Sequence, residues 1–144
     1  MFQRIVVAYN ESPASERALA AAIRLATALK AELHTVTVIT DLPAYTVYAG
    51  AIDASMSRVL KEDRVKLHEQ LREKARTFAE SHGFEVQTHL VEGGPIEAII
   101  EFLRESKADL LVVGLHQRDL YIARLWNNVF ELAQDAPCSV LGVH

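Results

Sequence analysis

Short unbroken apolar runs alternate along the chain with stretches whose apolar residues recur every three or four positions, and this alternation sets the expected architecture. After Arg4, the run Ile5 to Tyr9 (IVVAY) is rich in β-branched residues, as suits a strand covered on both faces. Asn10, Glu11, Ser12 and Pro13 punctuate it. Ser12 is a good N-cap and Pro13 a good first helical residue, because its missing N–H would have been unpaired there anyway. Leu19, Ala22, Ile23, Ala26 and Leu29 then form one stripe of a helix facing a sheet. Glu32 to Ile39 alternates in part and predicts a second strand.

Asp41 to Ser57 (DLPAYTVYAGAIDASMS) is the one long irregular connection. Loops of this length are often binding lids; Tyr45, Tyr48 and Gly50 fit a lid and fit equally a loop packed onto the sheet. A long charged helix follows over Ser57 to His82, with Leu60, Leu67, Leu71, Ala75 and Phe78 on its inner face and Gly83 as its left-handed cap. Its many charges read as a solvated outer face. Phe84 to Val91 predicts a third strand. Glu92, Gly93, Gly94 and Pro95 turn into a helix bearing Ile96, Ile99, Ile100 and Leu103, with Glu97 in its first turn. Asp109 to Gly114 (DLLVVG) is the fourth strand and the most uniformly apolar, which places it centrally. Leu125, Val129, Leu132 and Ala133 mark a helix ending near Pro137, and Cys138 to Val143 closes the chain as a fifth strand.

Strands and helices alternate with no internal repeat and no linker, so residues 1–144 are expected to form one α/β domain with a mostly parallel, doubly wound sheet. Ligands of such sheets bind beyond the carboxyl ends of the strands, where the strand order reverses. The rim candidates are Ala8 to Ser12, Val38 onward, Glu92 to Pro95, and Gly114 onward.

Composition narrows the function. A chain of 144 residues suits one hydrophobic core, and its net charge of −4 gives no electrostatic reason to bind nucleic acid or an anionic membrane. Cys138 is the only cysteine, which excludes a disulfide or a thiolate zinc cluster within the chain. No early run reads as a secretion signal, and IVVAY is far too short to span a bilayer, so a cytoplasmic location without membrane insertion is expected.

Three fragments in order carry a family resemblance. IVVAYNESPASERAL resembles an opening strand, turn and helix usually written with V-D-G-S where this chain has Tyr9, Asn10, Glu11 and Ser12. VEGGPIEAIIEFLRESKADLLVVG resembles a third strand, Gly-Pro helix and fourth strand, and Ala136-Pro137-Cys138-Ser139-Val140-Leu141 resembles an A-P-C-P-V-L closing strand. Together they resemble the universal stress proteins along essentially the whole chain. The resemblance implies a Rossmann-like five-stranded parallel sheet in order 3-2-1-4-5 with helices on both faces. It also implies a homodimer, often formed by pairing fifth strands, here through Cys138 to Val143.

One branch of that family binds ATP through G-x-x-G-x9-G-(S/T) after the fourth strand. Laid on this chain, the pattern keeps Gly114, but puts Gln117 and Asn127 at the next two glycines and Asn128 at the Ser/Thr position. The Asp that follows strand one in that branch falls on Asn10, the second-strand valine is kept as Val38, and Ala8 at the end of strand one is a further candidate for the cofactor-binding rim. A phosphate cradle needs inward N–H groups, close backbone approach and often positive φ. Gln117 adds bulk and resists positive φ, and Asn127 still occupies space. Asn128 either caps the following helix or hydrogen-bonds a phosphate oxygen. Arg118 and Arg124 in the loop are of the type that pairs with phosphate, though Asp119 stands beside one of them.

Catalysis is not expected, since no nucleophile, base and orienting acid stand at a motif spacing. The P-loop and G-x-G-x-x-G patterns are absent. The six histidines are scattered, with His116 in the loop the most exposed to a possible role. Cys138 resembles the family's inert core cysteine. The reading is a non-enzymatic, homodimeric stress-response protein without a cofactor, acting through protein partners whose identity is unknown. The alternative is a nucleotide-binding sensor or slow ATPase whose altered loop takes ATP, AMP or a cyclic dinucleotide. A third possibility is a regulatory domain serving a transporter or kinase.

Overall fold

The computed structural model describes residues 1–10, 12–39, 54–115 and 122–144, with side chains described throughout these except at 54–61 and 122–128. The elements run β1 (Arg4–Ala8), α1 (Pro13–Leu29), β2 (Glu32–Ile39), α2 (Ala54–Ser81), β3 (Gln87–Glu92), α3 (Pro95–Ser106), β4 (Leu110–Gly114), α4 (Ile122–Asp135) and β5 (Ser139–Val143). Among the described residues the five strands form one sheet in order β3-β2-β1-β4-β5, and every neighbouring pair is parallel.

The sheet is buried on both faces because successive strand residues point to opposite sides. Ile5, Val7, Leu33, Leu110 and Val112 meet α1 and α2 through Ala18, Leu19, Ala22, Ala75 and Ala79. Val6, Val36, Leu111 and Val113 meet α3 and α4 through Ile99, Leu103 and Leu132. β1 holds the centre of the sheet. β4 is interior, as its apolar run indicates, and lies between β1 and β5.

Local chemistry places the helix ends. The Ser12 side chain caps α1 by accepting from the Ser15 N–H, with Pro13 as the first helical residue. Gly83 takes φ +72° after α2, and the Phe84 N–H reaches back to the Ala79 carbonyl at 3.0 Å, the long bond of a Schellman cap.

Several expectations shift. α2 is 28 residues, about 42 Å at the helical rise, whereas the longest strand spans about 26 Å. Its N-terminal part therefore overhangs the sheet, and Leu67, expected on the inner face, is 49% exposed; among the described side chains of this helix the first buried one is Leu71, and the Leu60 side chain lies outside them. Leu29 also leaves the buried stripe of α1, being the last helical residue before the chain turns away through Lys30 at φ 55°. Ala133 is exposed because α4 covers the sheet near an edge, where Leu132 and its row meet the core. β3 begins at Gln87 rather than Phe84, since the β2 ladder first offers it a partner at His34. Residues 54–56 are helical, which shortens the expected long connection; Tyr45, Tyr48 and Gly50 lie outside the described residues.

Candidate functional site

The strand order reverses between β1 and β4, so the carboxyl ends of these strands, Ala8 and Gly114, frame the crevice in which doubly wound sheets take ligands. Beyond Ala8, Tyr9 continues the backbone pairing: its N–H donates to the Val36 carbonyl at 3.0 Å, and its own carbonyl accepts from the buried Thr37 hydroxyl at 2.8 Å. Ala8 and Val38 are half-buried and pack on the same side of the sheet, toward α3. The structure thus places Ala8, Asn10, Val38 and Gly114 at the carboxyl-end rim of the sheet.

Asn10 is held in the turn that opens α1. Its Oδ1 accepts from the Ser12 N–H at 3.2 Å, and its own N–H donates to the Ser15 hydroxyl at 3.3 Å. Ser15 closes the knot by donating to the Ser12 carbonyl at 2.9 Å. Ser15 is buried and was not singled out from sequence, where a serine inside a helix carries no signal of such a role. The carboxamide oxygen of Asn10 is therefore committed to local geometry, in the manner of an Asx turn.

Gly114, the one glycine retained from the nucleotide pattern, is fixed by packing. A Cβ built on it would stand 2.2 Å from the Ala14 carbonyl oxygen and 2.9 Å from the Ser15 nitrogen. The end of β4 thus lies directly on the first turn of α1, and no side chain fits between them. Leu115 leaves the strand with its N–H donating to the Val143 carbonyl at 2.7 Å, while Arg17 of α1 reaches its carbonyl at 3.5 Å. Gly142 of β5 faces the same leucine, whose Cδ1 would be 3.0 Å from an added Cβ.

The rest of the predicted loop divides. His116, Gln117, Arg118 and Asp119 lie outside the described residues. Asn127 and Asn128 fall inside α4, which begins at Ile122. Asn128 is therefore an interior helical residue and not the N-cap that the sequence allowed. In a helix with this start, the N–H groups of both asparagines bond to carbonyls four residues back.

At the other rim positions, Glu92 pairs with Arg64 of α2 at 3.4 Å, and Gly93 makes the turn into α3 at φ 129°. Cys138 is half-buried against the α3 side of the core, where burial and the nearby Asp109 carboxylate raise its thiol pKa. Among the described residues no group of three or more His, Cys, Asp or Glu side chains is placed to hold a metal, and no helix is long and apolar enough to cross a membrane.

Comparison with known proteins agrees with this geometry. The model of the universal stress protein family matches residues 1–144. A universal stress protein of Methanocaldococcus jannaschii is 29% identical over 144 residues, covering 99% of this chain and 82% of its own. A universal stress protein crystallised in complex with cAMP is 27% identical, with TM-score 0.68 over 99% of this chain and 97% of that one. The universal stress protein UspA of Lactobacillus plantarum, 20% identical, shares the fold with TM-score 0.74 over 99% of this chain and 98% of its own.

Proposed function

The chain belongs to the universal stress protein family, and from that premise we propose that it is a non-enzymatic, homodimeric member that acts in the stress response through protein contacts and has lost the family's ATP cradle. The observation that carries this reading is the course of α4. A phosphate cradle at the third glycine and the following Ser/Thr position needs N–H groups free to point at the ligand. Helix α4 starts at Ile122, so the amides of Asn127 and Asn128 are spent inside it. Two further supports agree. The packing of Gly114 on Ala14 explains its lack of a side chain without any ligand, and the Asn10 carboxamide oxygen is occupied within its own turn. Dimerisation is supported by β5, an edge strand with Leu141 exposed, beside α4 with Phe130 exposed.

A second reading, a nucleotide-binding sensor, is favoured by the relative bound to cAMP, a ligand that carries one phosphate and asks less of a cradle than ATP. Calorimetric titration of the purified protein with ATP, AMP, cAMP and a cyclic dinucleotide separates the two. The proposal expects no saturable heat with ATP. Saturable ATP binding overturns it, and binding of AMP or a cyclic nucleotide alone replaces it with the sensor.

A further inference from the structure

His34 and His89 stand 55 residues apart in sequence, yet the parallel register of β2 and β3 brings them together on the α3 side of the sheet. His34 Nδ1 and His89 Nε2 are 3.0 Å apart. The ring centroids are 5.2 Å apart with planes 23° from parallel. That separation is almost the N···N distance plus one ring radius at each end, so the rings meet head-on through their nitrogens and not face to face. Lone pairs aimed at each other suit an N–H···N bond and do not converge on a third point, as metal chelation requires. On its far side, His34 Nε2 lies 3.3 Å from Glu32 Oε2, and Arg4 Nε holds the same oxygen at 3.0 Å.

We propose that the His34–His89 pair is an acid-sensitive latch that fastens edge strand β3 to the sheet and releases it as the second imidazole takes a proton. The carboxylate of Glu32 can only accept, so His34 carries its proton on Nε2 and presents Nδ1 as an acceptor to His89 Nε2–H. A first added proton goes to His89 Nδ1 and leaves the N–H···N bond intact. A second must sit on His34 Nδ1, where two N–H groups and two positive charges would then face each other across 3.0 Å. The remaining surroundings do not favour that state. Burial and His34 lower the pKa of His89, and Arg72 of α2 adds to the same direction. α3 faces His89 with the Phe102 ring at 4.8 Å, and its own charges, Glu97, Glu101, Arg104 and Glu105, are all exposed. Glu32 is the one described carboxylate in contact with the pair, and Arg4 already neutralises it.

The sign follows from linkage. The released chain has two independent imidazoles that both charge below about pH 6.5, while the latched pair withholds at least one proton. Release is therefore favoured as pH falls, up to about tenfold per pH unit for each proton withheld. The test is amide hydrogen exchange by NMR from about pH 8 to about pH 5, above the ordinary carboxylate range, with protection corrected for intrinsic exchange. Protection at Thr88 to Val91 is expected to fall about tenfold further than at Val6 and Leu111, and His89→Gln is expected to abolish that difference. A β3 that tracks β1 and β4 at every pH, or a difference that survives His89→Gln, overturns the proposal. Ring 15N shifts of the unmodified protein give a reading independent of any variant: coupled titration with His34 protonated at Nε2 supports the latch, and two independent ordinary titrations overturn it.

Discussion

Gly114 and Ala14 are in backbone contact so close that a methyl group on the glycine would fall 2.2 Å from the alanine carbonyl oxygen. The obstacle is main chain at the start of a helix, which cannot rotate away as a side chain can. Gly114→Ala is expected to cost about 3 kcal/mol or more, measured by urea denaturation. The loss should be the same with and without ATP, because it arises from packing. Unchanged stability would mean that β4 and α1 are further apart than described.

Restoring the family pattern tests the account of α4. Gln117→Gly combined with Asn127→Gly and Asn128→Ser is expected to leave ATP binding undetected by calorimetry, since the helical amides stay paired whatever the side chains. The two helix-interior changes should cost only about 0.5 kcal/mol. Acquired ATP affinity would show that side chains alone close the cradle.

Asp109 ties the start of β1 to the start of β4: its carboxylate accepts from the Gln3 N–H at 2.7 Å and the Arg4 N–H at 3.0 Å. Removing both acceptors with Asp109→Ala is expected to lower stability by about 1–2 kcal/mol in urea denaturation. The neighbouring Glu32 adds a pH dependence. Hydrogen bonds from Arg4 and then His34 hold its carboxyl below the usual range. Its contribution is therefore complete above the ordinary glutamate pKa and lost as pH falls through the lowered value.

Cys138 should be a poor nucleophile. Burial, reinforced by Asp109, raises its pKa above that of an ordinary thiol, so the thiolate is scarcer at neutral pH. Alkylation by iodoacetamide at about pH 8 is expected to run at least about tenfold slower than in the urea-unfolded chain. Equal rates would place the thiol in solvent.

Leu141 is 37% exposed on edge strand β5. Leu141→Lys puts a charge on the face that the proposed dimer would bury. Light scattering is expected to show a dimer for the parent chain at about ten micromolar and a 16.0 kDa monomer for the variant. A monomeric parent chain would remove the dimer.

Much of this fold is legible in the residues. β2 runs from Glu32 to Ile39 as the apolar alternation indicates, and Ser12, Pro13 and Gly83 do at the helix ends what their chemistry dictates. The misses have physical causes. Periodicity cannot tell that α2 outruns the sheet, so Leu67 reads like Leu71. The site is less legible than the scaffold. Gly114 reads as a ligand glycine until Ala14 is found against it, because close approach between distant segments leaves no trace in local sequence. His34 and His89 are likewise joined only by strand register. His34 stands opposite Gln87 and His89 opposite Val36, so the two side chains meet diagonally on one face, a relation that exists only once β2 and β3 are parallel neighbours.

Leu115 takes its position from the far end of the chain: its N–H is held by the Val143 carbonyl, and its side chain is seated against Gly142. The last residues of a domain are ordinarily its most dispensable. Here they hold Leu115 at the carboxyl end of β4, so trimming Gly142 and Val143 would release the exit of that strand as well as strip an edge from the sheet.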